Sequence, residues 1–390
     1  MSETEELTQL LCDLVALPSV NPESEAQRTD VPYGEGRVAD YVEKYLRRYG
    51  LRTRRQKVSQ GRDNVLGFVP GAGASPLLLE AHMDTVGVEG MDRPFEPLVE
   101  GGRVYGRGAC DTKGALAAMM FALGKVVEEG IPLARGCVLA ATADEEFGMA
   151  GAQLLVGAQM DLAGAIVGEP TGLQIVPAHD GQTYFRICAR GKAAHTSTPH
   201  NGVNAIYLIN DVIDVLRREA KTAYRDREHP LCGAPQLTVS IIHGGVSEHV
   251  VPDYCEIALD CRVIPGETCQ GIWEEIRSWL EDGLDSEAFG RIELGAPYKA
   301  QPALETPSDH PLVQGLEAAA REVLGSAEIA GVPYNTDASH YGAAGIPCVV
   351  FGPGDIAQAH STDEYVDIEQ LVAASRIIKA FLVKHGDMAP

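Results

Sequence analysis

The amino-acid sequence predicts an α/β fold: a mostly parallel sheet with helices on both faces, interrupted by an inserted α+β domain. Three observations predict it. Short apolar runs alternate with helix-spaced segments as far as Ala178. Alternating strands and amphipathic helices then take over, and from about Tyr298 the first style returns. One domain therefore encloses another, with 1–179 and 297–390 forming the outer domain and 180–296 the insert.

The elements follow in order. Residues 5–17 carry helical apolar spacing that stops at Pro18, which has no N–H to continue the ladder. Residues 36–49 place Val38, Tyr41, Val42, Tyr45 and Leu46 on one helical face, with Gly50 able to cap the end. Residues 77–81, 137–143 and 163–167 are continuous apolar runs of strand length, as in strands buried on both faces, and 115–129 reads as a helix between the first two. Strands alternating with helices imply a mostly parallel sheet.

In the insert, 183–190 alternates like a half-exposed strand and 203–218 is a long amphipathic helix. Strands follow at 236–243 and 254–263, a helix at 271–280 and a strand at 291–294. Strand, helix, strand, strand, helix, strand is the order of a ferredoxin-like α+β sandwich with an antiparallel sheet. The outer domain resumes with a helix at 312–324, a buried strand at 348–351 and a last helix at 368–384. No internal repeat is evident.

Composition narrows the function. A chain of 390 residues with 45% apolar content can build two cores. The 32 basic against 55 acidic residues give a net charge of −23. Nucleic acid is not an expected partner, because binding it needs basic patches that displace counterions. An acidic balance implies a self-repelling, soluble surface or carboxylates gathered for cations. No apolar run reaches the roughly 18 residues that a membrane span needs. The start, Met1-Ser2-Glu3-Thr4-Glu5-Glu6, has neither the basic region nor the apolar core of a secretory signal. The nine cysteines are odd in number and scattered, and Cys137, Cys188 and Cys348 sit in apolar surroundings. Reduced thiols and a cytoplasmic location are expected, and the absence of a CxxC pair argues against a thiolate zinc knuckle.

Imidazoles and carboxylates recur where the predicted strands end. His82 and Asp84 follow 77–81; Asp144, Glu145 and Glu146 follow 137–143; Glu169 follows 163–167; His360 lies past 348–351. Asp111 ends the glycine-rich Gly106-Arg107-Gly108-Ala109-Cys110 segment just before a helix. Ligands of open α/β sheets bind outside the carboxyl ends of the strands. Carboxylates converging there repel one another unless cations are present, and imidazole with carboxylate suits zinc. Each feature has a plainer reading alone. A His-x-Asp occurs by chance, Asp144-Glu145-Glu146 can be a solvated helix start, and Glu169 before Pro170 can simply end a strand. The glycine-rich segment lacks the spacing of a phosphate loop. No Gly-x-Ser-x-Gly elbow occurs, and Cys110 is a rival thiol nucleophile.

Taken together, five motifs resemble one family. They are His82-Met83-Asp84-Thr85-Val86, Gly106-Arg107-Gly108 with Asp111-Thr112-Lys113-Gly114, Ala143-Asp144-Glu145-Glu146-Phe147-Gly148, Gly168-Glu169-Pro170-Thr171, and the late His360. The chain resembles the co-catalytic metallopeptidases that include acetylornithine deacetylase, succinyl-diaminopimelate desuccinylase, aminoacylase and carboxypeptidase G. That resemblance implies two divalent ions, zinc first with cobalt or manganese as alternatives. It implies His82 and Glu169 on one ion, Glu146 and His360 on the other, and Asp111 bridging. Asp84 is implied to hold the free N–H of the His82 ring, Glu145 to act as general base, and the Asp111–Thr112 peptide to be cis.

The insert is implied to be a lid and dimerisation domain. His195, in Gly191-Lys192-Ala193-Ala194-His195-Thr196-Ser197, is implied to reach the partner's site in a homodimer and stabilise the oxyanion. Arg262, in Asp260-Cys261-Arg262, is implied to bind the substrate carboxylate. His249 stands where relatives often carry Asn before Val-Val-Pro, and is taken as a substrate contact. Phe351-Gly352-Pro353-Gly354-Asp355 and Thr336-Asp337-Ala338 sit nearest the acetylornithine deacetylase type. Hydrolysis of an N-acyl amino acid, foremost N-acetylornithine, is the expected activity. A dipeptidase or carboxypeptidase of the same fold, or a catalytically idle metal-binding dimer, stands as the alternative.

Overall fold

Four strands run parallel at the centre of the main sheet: Cys137–Thr142, Leu77–His82, Gly164–Val167 and Cys348–Val350, in that spatial order. All four are buried along their whole length, which is why they read as mostly apolar runs, with Glu80 the one internal charge. The antiparallel pair Arg52–Ser59 and Arg62–Val69 extends one side, and Ile175–His179 extends the other, antiparallel to Cys348–Val350. The computed structural model describes residues 1–23, 31–72 and 75–387.

Side chains alternate between the two faces of this sheet. Leu77, Leu79, Ala81, Cys137, Leu139, Ala141, Ile166 and Val349 enter one core with the helices Glu3–Val15, Gly36–Arg48, Lys113–Glu128, Pro311–Leu324 and Ile368–Ala380. The opposite parity carries Leu78, Glu80, His82 and Thr142. The short helix Ala338–Ala343 packs against Gly164–Val167 and Cys348–Val350, and against the helix Ala150–Gly157. Helices thus cover both faces, as expected. Lys113–Glu128 is buried nearly all round because it lies between the strand Leu77–His82 and the helices Glu3–Val15 and Ile368–Ala380.

Two boundaries moved for identifiable reasons. The first helix starts at Glu3 because Ser2 caps it: the Ser2 hydroxyl accepts from the Glu5 N–H at 3.3 Å, and the Glu5 carboxylate accepts from the Ser2 nitrogen at 2.8 Å. The last helix is α only over Ile368–Ala380 and widens into a π turn at Phe381–His385. The strand Arg52–Ser59 was not anticipated. Its cation-rich sequence has no apolar period, since it lies at the sheet's edge with half its positions exposed.

The chain divides into two compact units. The described parts of Met1–Pro177, Glu305–Ala330 and Thr336–Pro390 form one, and Ala178–Leu304 with Gly331–Asn335 form the other. In the second unit the strands Gly181–Arg190, Gln236–Gly244, Tyr254–Val263 and Ile292–Leu294 make an antiparallel sheet with the first of these near its centre. Phe185, Ile187 and Ala189, with Cys255, Ile257 and Leu259, pack against Ile209, Val212 and Leu216 of the helix Ala205–Ala223 and Ile272, Ile276 and Leu280 of Cys269–Gly283. That is the ferredoxin-like order read from the sequence. All nine cysteines are free thiols. Among the described residues no helix is long and apolar enough to cross a membrane.

One buried imidazole carries a pH prediction. His179 is fully buried, its Nδ1 lies 2.9 Å from the Asp180 carbonyl oxygen, and burial pushes its pKa down to about 4. The unfolded chain binds a proton near pH 6.5, so stability is lost as pH falls from there toward 4, by about 3 kcal/mol on the order-of-magnitude linkage scale. Urea unfolding of the wild type against His179→Gln should show a gap that closes across this window. A gap constant from pH 7 to 4 would reject the assignment.

Candidate active site

The carboxyl ends of the four parallel strands bring seven of the sequence-selected residues to one edge. His82 is the last residue of Leu77–His82 and Asp84 follows it. Glu145 and Glu146 lie in the turn after Cys137–Thr142, Glu169 just past Gly164–Val167, and His360 in the loop beyond Cys348–Val350. Asp111 sits immediately before the helix Lys113–Glu128, and the Asp111–Thr112 peptide is cis. Two of these loops need a left-handed backbone at a residue other than glycine, Asp144 at φ 76° and His360 at φ 60°, so neighbouring contacts must hold them there.

Asp111 is central. Its Oδ1 lies 3.1 Å from His82 Nε2, and its Oδ2 lies 3.3 Å from His360 Nε2. Glu169 Oε1 is 3.8 Å from His82 Nε2, and Glu146 Oε2 is 3.2 Å from His360 Nε2. The other Glu146 oxygen accepts from the Val86 N–H at 3.2 Å. Two groups of donor atoms fall within 4.8 Å of one another: His82, Asp111 and Glu146, and His82, Glu145 and Glu169. Geometry alone admits Glu145 either as a ligand or as a free base.

The electrostatics ask for positive charge. Burial raises the carboxyls of Glu145 and Glu169 well above their ordinary range, and raises Glu146 as well. Burial also works to raise Asp111, but hydrogen bonds from His360 and His82 hold it well below that range. His360 is pushed up to about 10 by Asp111 and Glu146. For His82 burial works downward, and the carboxylates of Asp111 and Asp84 outweigh it to leave the pKa raised. Four carboxyls and two imidazoles therefore compensate one another with protons. That donor set fits divalent cations, which satisfy the same demand with the carboxylates ionised and the imidazoles neutral.

Asp84 meets both the His82 ring and the next turn. The His82 Nδ1 contact runs to the Asp84 main-chain oxygen at 3.0 Å, while the Asp84 carboxylate stands 3.6 Å from that nitrogen. The carboxylate also accepts the main-chain N–H groups of Asp144 at 3.0 Å, Glu145 at 3.1 Å and Glu146 at 3.1 Å, and the Asn21 amide at 2.8 Å. The Asp84 main-chain oxygen and carboxylate thus both face the ring, and the carboxylate also shapes the turn that carries Glu145 and Glu146.

Four further polar residues were missed in the sequence. Arg62 pairs with Glu35, and its Nη2 lies 3.0 Å from Asp144 Oδ1. Asn21 donates to Asp144 Oδ1 at 3.0 Å as well as to Asp84. Glu364 accepts from the loop that ends in Asp111. None lies at a predicted strand end, and nothing in the local sequence marks these polar side chains as buried.

The three remaining selected residues belong to the second unit. His195 is exposed, and its Nδ1 accepts from the Ser197 N–H at 3.1 Å, so the ring proton sits on Nε2. The His249 N–H donates to Ser247 Oγ at 3.3 Å. Arg262 pairs with Asp260 at 3.0 Å and donates to Gln182 Oε1 at 3.2 Å.

Imidazole and carboxylate donors at the carboxyl edge of a parallel sheet form a site suited to divalent cations. The sequence pattern of Peptidase family M20/M25/M40 matches residues 78–384, and the chain belongs to that family. It is similar to proteins named acetylornithine deacetylase from Proteus mirabilis, 32% identical with 92% of each chain covered, and from Myxococcus xanthus, 31% identical with 95% of each covered. Its fold matches a Staphylococcus aureus tripeptidase with TM-score 0.79 at 22% identity, covering 97% of this chain and 98% of that one. It also matches the Bacillus subtilis YXEP protein, a dinuclear metal-binding peptidase of the M20 family, with TM-score 0.72 at 18% identity and 98% of each chain covered. The chain is a metallohydrolase acting on amides.

Proposed function

We propose that this protein hydrolyses the amide bond of an N-acyl amino acid, with N-acetylornithine as the leading substrate. The carrying observation is the split of the Asp111 carboxylate, one oxygen 3.1 Å from His82 and the other 3.3 Å from His360. It supports Asp111 as the bridge between two divalent ions, with His82 and Glu169 on one, Glu146 and His360 on the other, and zinc as the native metal. Bound there, such ions supply a Lewis-acidic contact for the amide oxygen and a water of lowered pKa.

Glu145 then has the proton work. Its carboxylate takes a proton from the attacking water and delivers it to the leaving amine nitrogen. Half-burial beside Asp111 and Glu146 favours this role, because a poorly solvated carboxylate is a stronger base and takes the water proton more readily. Asp84 keeps the 144–146 turn in place. In the second unit, His195 has its Nε2–H free to donate to an oxyanion, which suits it to act across a homodimer. Arg262 offers a guanidinium for the substrate carboxylate, and His249 a further substrate contact. The strand Gln236–Gly244 is an outer strand of its sheet with Ile242 55% exposed, which supports self-association through this unit. The reading includes a lid function for this unit and a cytoplasmic location.

The substrate rests on the relatives' names. A dipeptidase reading draws on the tripeptidase among the similar structures. The test strips the protein with chelator, reloads it with zinc or cobalt, and compares kcat/KM over N-acetylornithine, other N-acyl amino acids and dipeptides. N-acetylornithine should lead. Dipeptides turning over faster would move the assignment to peptidase, and no hydrolysis with two ions bound would make the chain an idle metal binder. Sedimentation of the same sample should return a dimer, and a monomer would reject the association.

A further inference from the structure

The loop from Gly106 to Asp111 is wrapped around a single carboxylate. Glu364 is 1% exposed, and its two oxygens accept four hydrogen bonds. Oε2 takes the Gly108 N–H at 2.9 Å and Arg107 Nη1 at 2.6 Å. Oε1 takes the N–H groups of Cys110 at 2.9 Å and of Asp111 at 3.0 Å. Gly108 holds φ +84°, which turns its N–H inward with those of its neighbours. Arg107, only 3% exposed, is tied down in turn by donating from Nε to the Gly87 oxygen at 2.9 Å.

Glu364 is also four residues beyond His360 on the same loop. The strand Tyr365–Asp367 that follows it pairs with Arg103–Tyr105, the strand that enters the Gly106 loop, and the Gly106 N–H donates to the Glu364 main-chain oxygen at 3.0 Å. Both loops are thus anchored on one short ladder and then joined again through one side chain. His360 Nε2 meets Asp111 Oδ2 at 3.3 Å, which closes the circuit.

We propose that Glu364 is a positioning residue that fixes Asp111 and His360 relative to each other before any metal arrives. A carboxylate is suited to this task, because it accepts several N–H groups at once and offers no donor to compete with them. The role rests on the reading of Asp111 and His360 as metal ligands. A loop anchor without this role would affect folding but not metal binding. A positioning role weakens metal binding in protein that is still folded, as outer partners of metal ligands do.

The test titrates cobalt into metal-free wild type, Glu364→Gln and His360→Ala by calorimetry, with the cobalt absorption bands read in parallel and apo-protein folding checked by circular dichroism. Wild type should bind two ions. His360→Ala should lose one, and Glu364→Gln should bind one of the two roughly 10- to 100-fold more weakly, with altered bands. If Glu364→Gln is unfolded, the double variant Arg107→Met/Glu364→Gln carries the titration, since no lone buried charge then remains. His360→Ala with a weakened ion but Glu364→Gln identical to wild type overturns the positioning role alone. His360→Ala that still binds two ions overturns the ligand reading and the proposal with it. Amide hydrogen exchange on metal-free wild type needs no variant. The N–H groups of Gly108, Cys110 and Asp111 should be protected, and unprotected exchange there overturns the proposal.

Discussion

Glu145→Gln should lower kcat by about 10²- to 10⁴-fold, the usual worth of a positioned general base, while two metal ions remain bound per chain. Gln keeps the shape and the polar reach of Glu but cannot take a proton. The turn that presents it does not depend on that side chain: the Glu145 N–H donates to Asp84 Oδ1 at 3.1 Å, and its neighbours Asp144 and Glu146 are held by the same carboxylate. The substitution therefore changes the chemistry of one group and leaves its placement. Because Glu145 also lies within 4.8 Å of donor atoms on His82 and Glu169, the experiment separates its two possible roles. A base variant loses turnover with metal content and KM near wild type. Loss of one metal ion together with activity would make Glu145 a ligand, and full activity would remove it from the mechanism.

The sequence revealed the parts of this site that follow a periodic rule. Buried parallel strands are mostly apolar runs, so Leu77–His82, Cys137–Thr142 and Gly164–Val167 could be read directly, and the residues at and just past their ends were the ones to inspect. His82, Glu145, Glu146 and Glu169 were found that way. His360 was reached the same way, past the 348–351 run, and the resemblance added its part in the site. What stayed hidden is the support around the site. Arg62 and Glu35 look like surface charges in a cation-rich hairpin and at a helix start. Glu364 looks like one more acid in a polar loop. Their burial is decided by tertiary packing among segments 27 to 257 residues apart, as in Arg62 with Glu35 and Arg107 with Glu364. For Asp84 the local pattern shows that it is near His82, but not that its carboxylate also accepts the N–H groups of the 144–146 turn.

Arg62→Met should destabilise the protein by about 3–5 kcal/mol, the cost of breaking a buried ion pair from one side. Arg62 Nε lies 2.8 Å from Glu35 Oε2, Nη2 lies 2.5 Å from Oε1, and Nη2 is also 3.0 Å from Asp144 Oδ1. Glu35 Oε1 in turn accepts the Asp144 N–H at 3.1 Å. Burial pushes the Glu35 carboxyl up, with the hydrogen bond from Arg62 working against it. Methionine fills the volume of the stem and removes the cation, leaving Glu35 and Asp144 close to Asp84 without the Arg62 charge. The same loss should reach function, because Asp144 sits at φ 76° directly before Glu145 and is held there by these contacts. kcat should fall more than KM rises, since the base is displaced while the second unit is untouched. Pairing the change with Glu35→Leu removes both buried charges and should restore much of the stability, but not the turnover, because Asp144 has still lost its Arg62 and Glu35 contacts. Denaturant unfolding and steady-state kinetics on the two variants check both halves. A wild-type midpoint for Arg62→Met would show that the pair is not a buried charge at all, and recovered turnover in the double variant would detach it from the placement of Glu145.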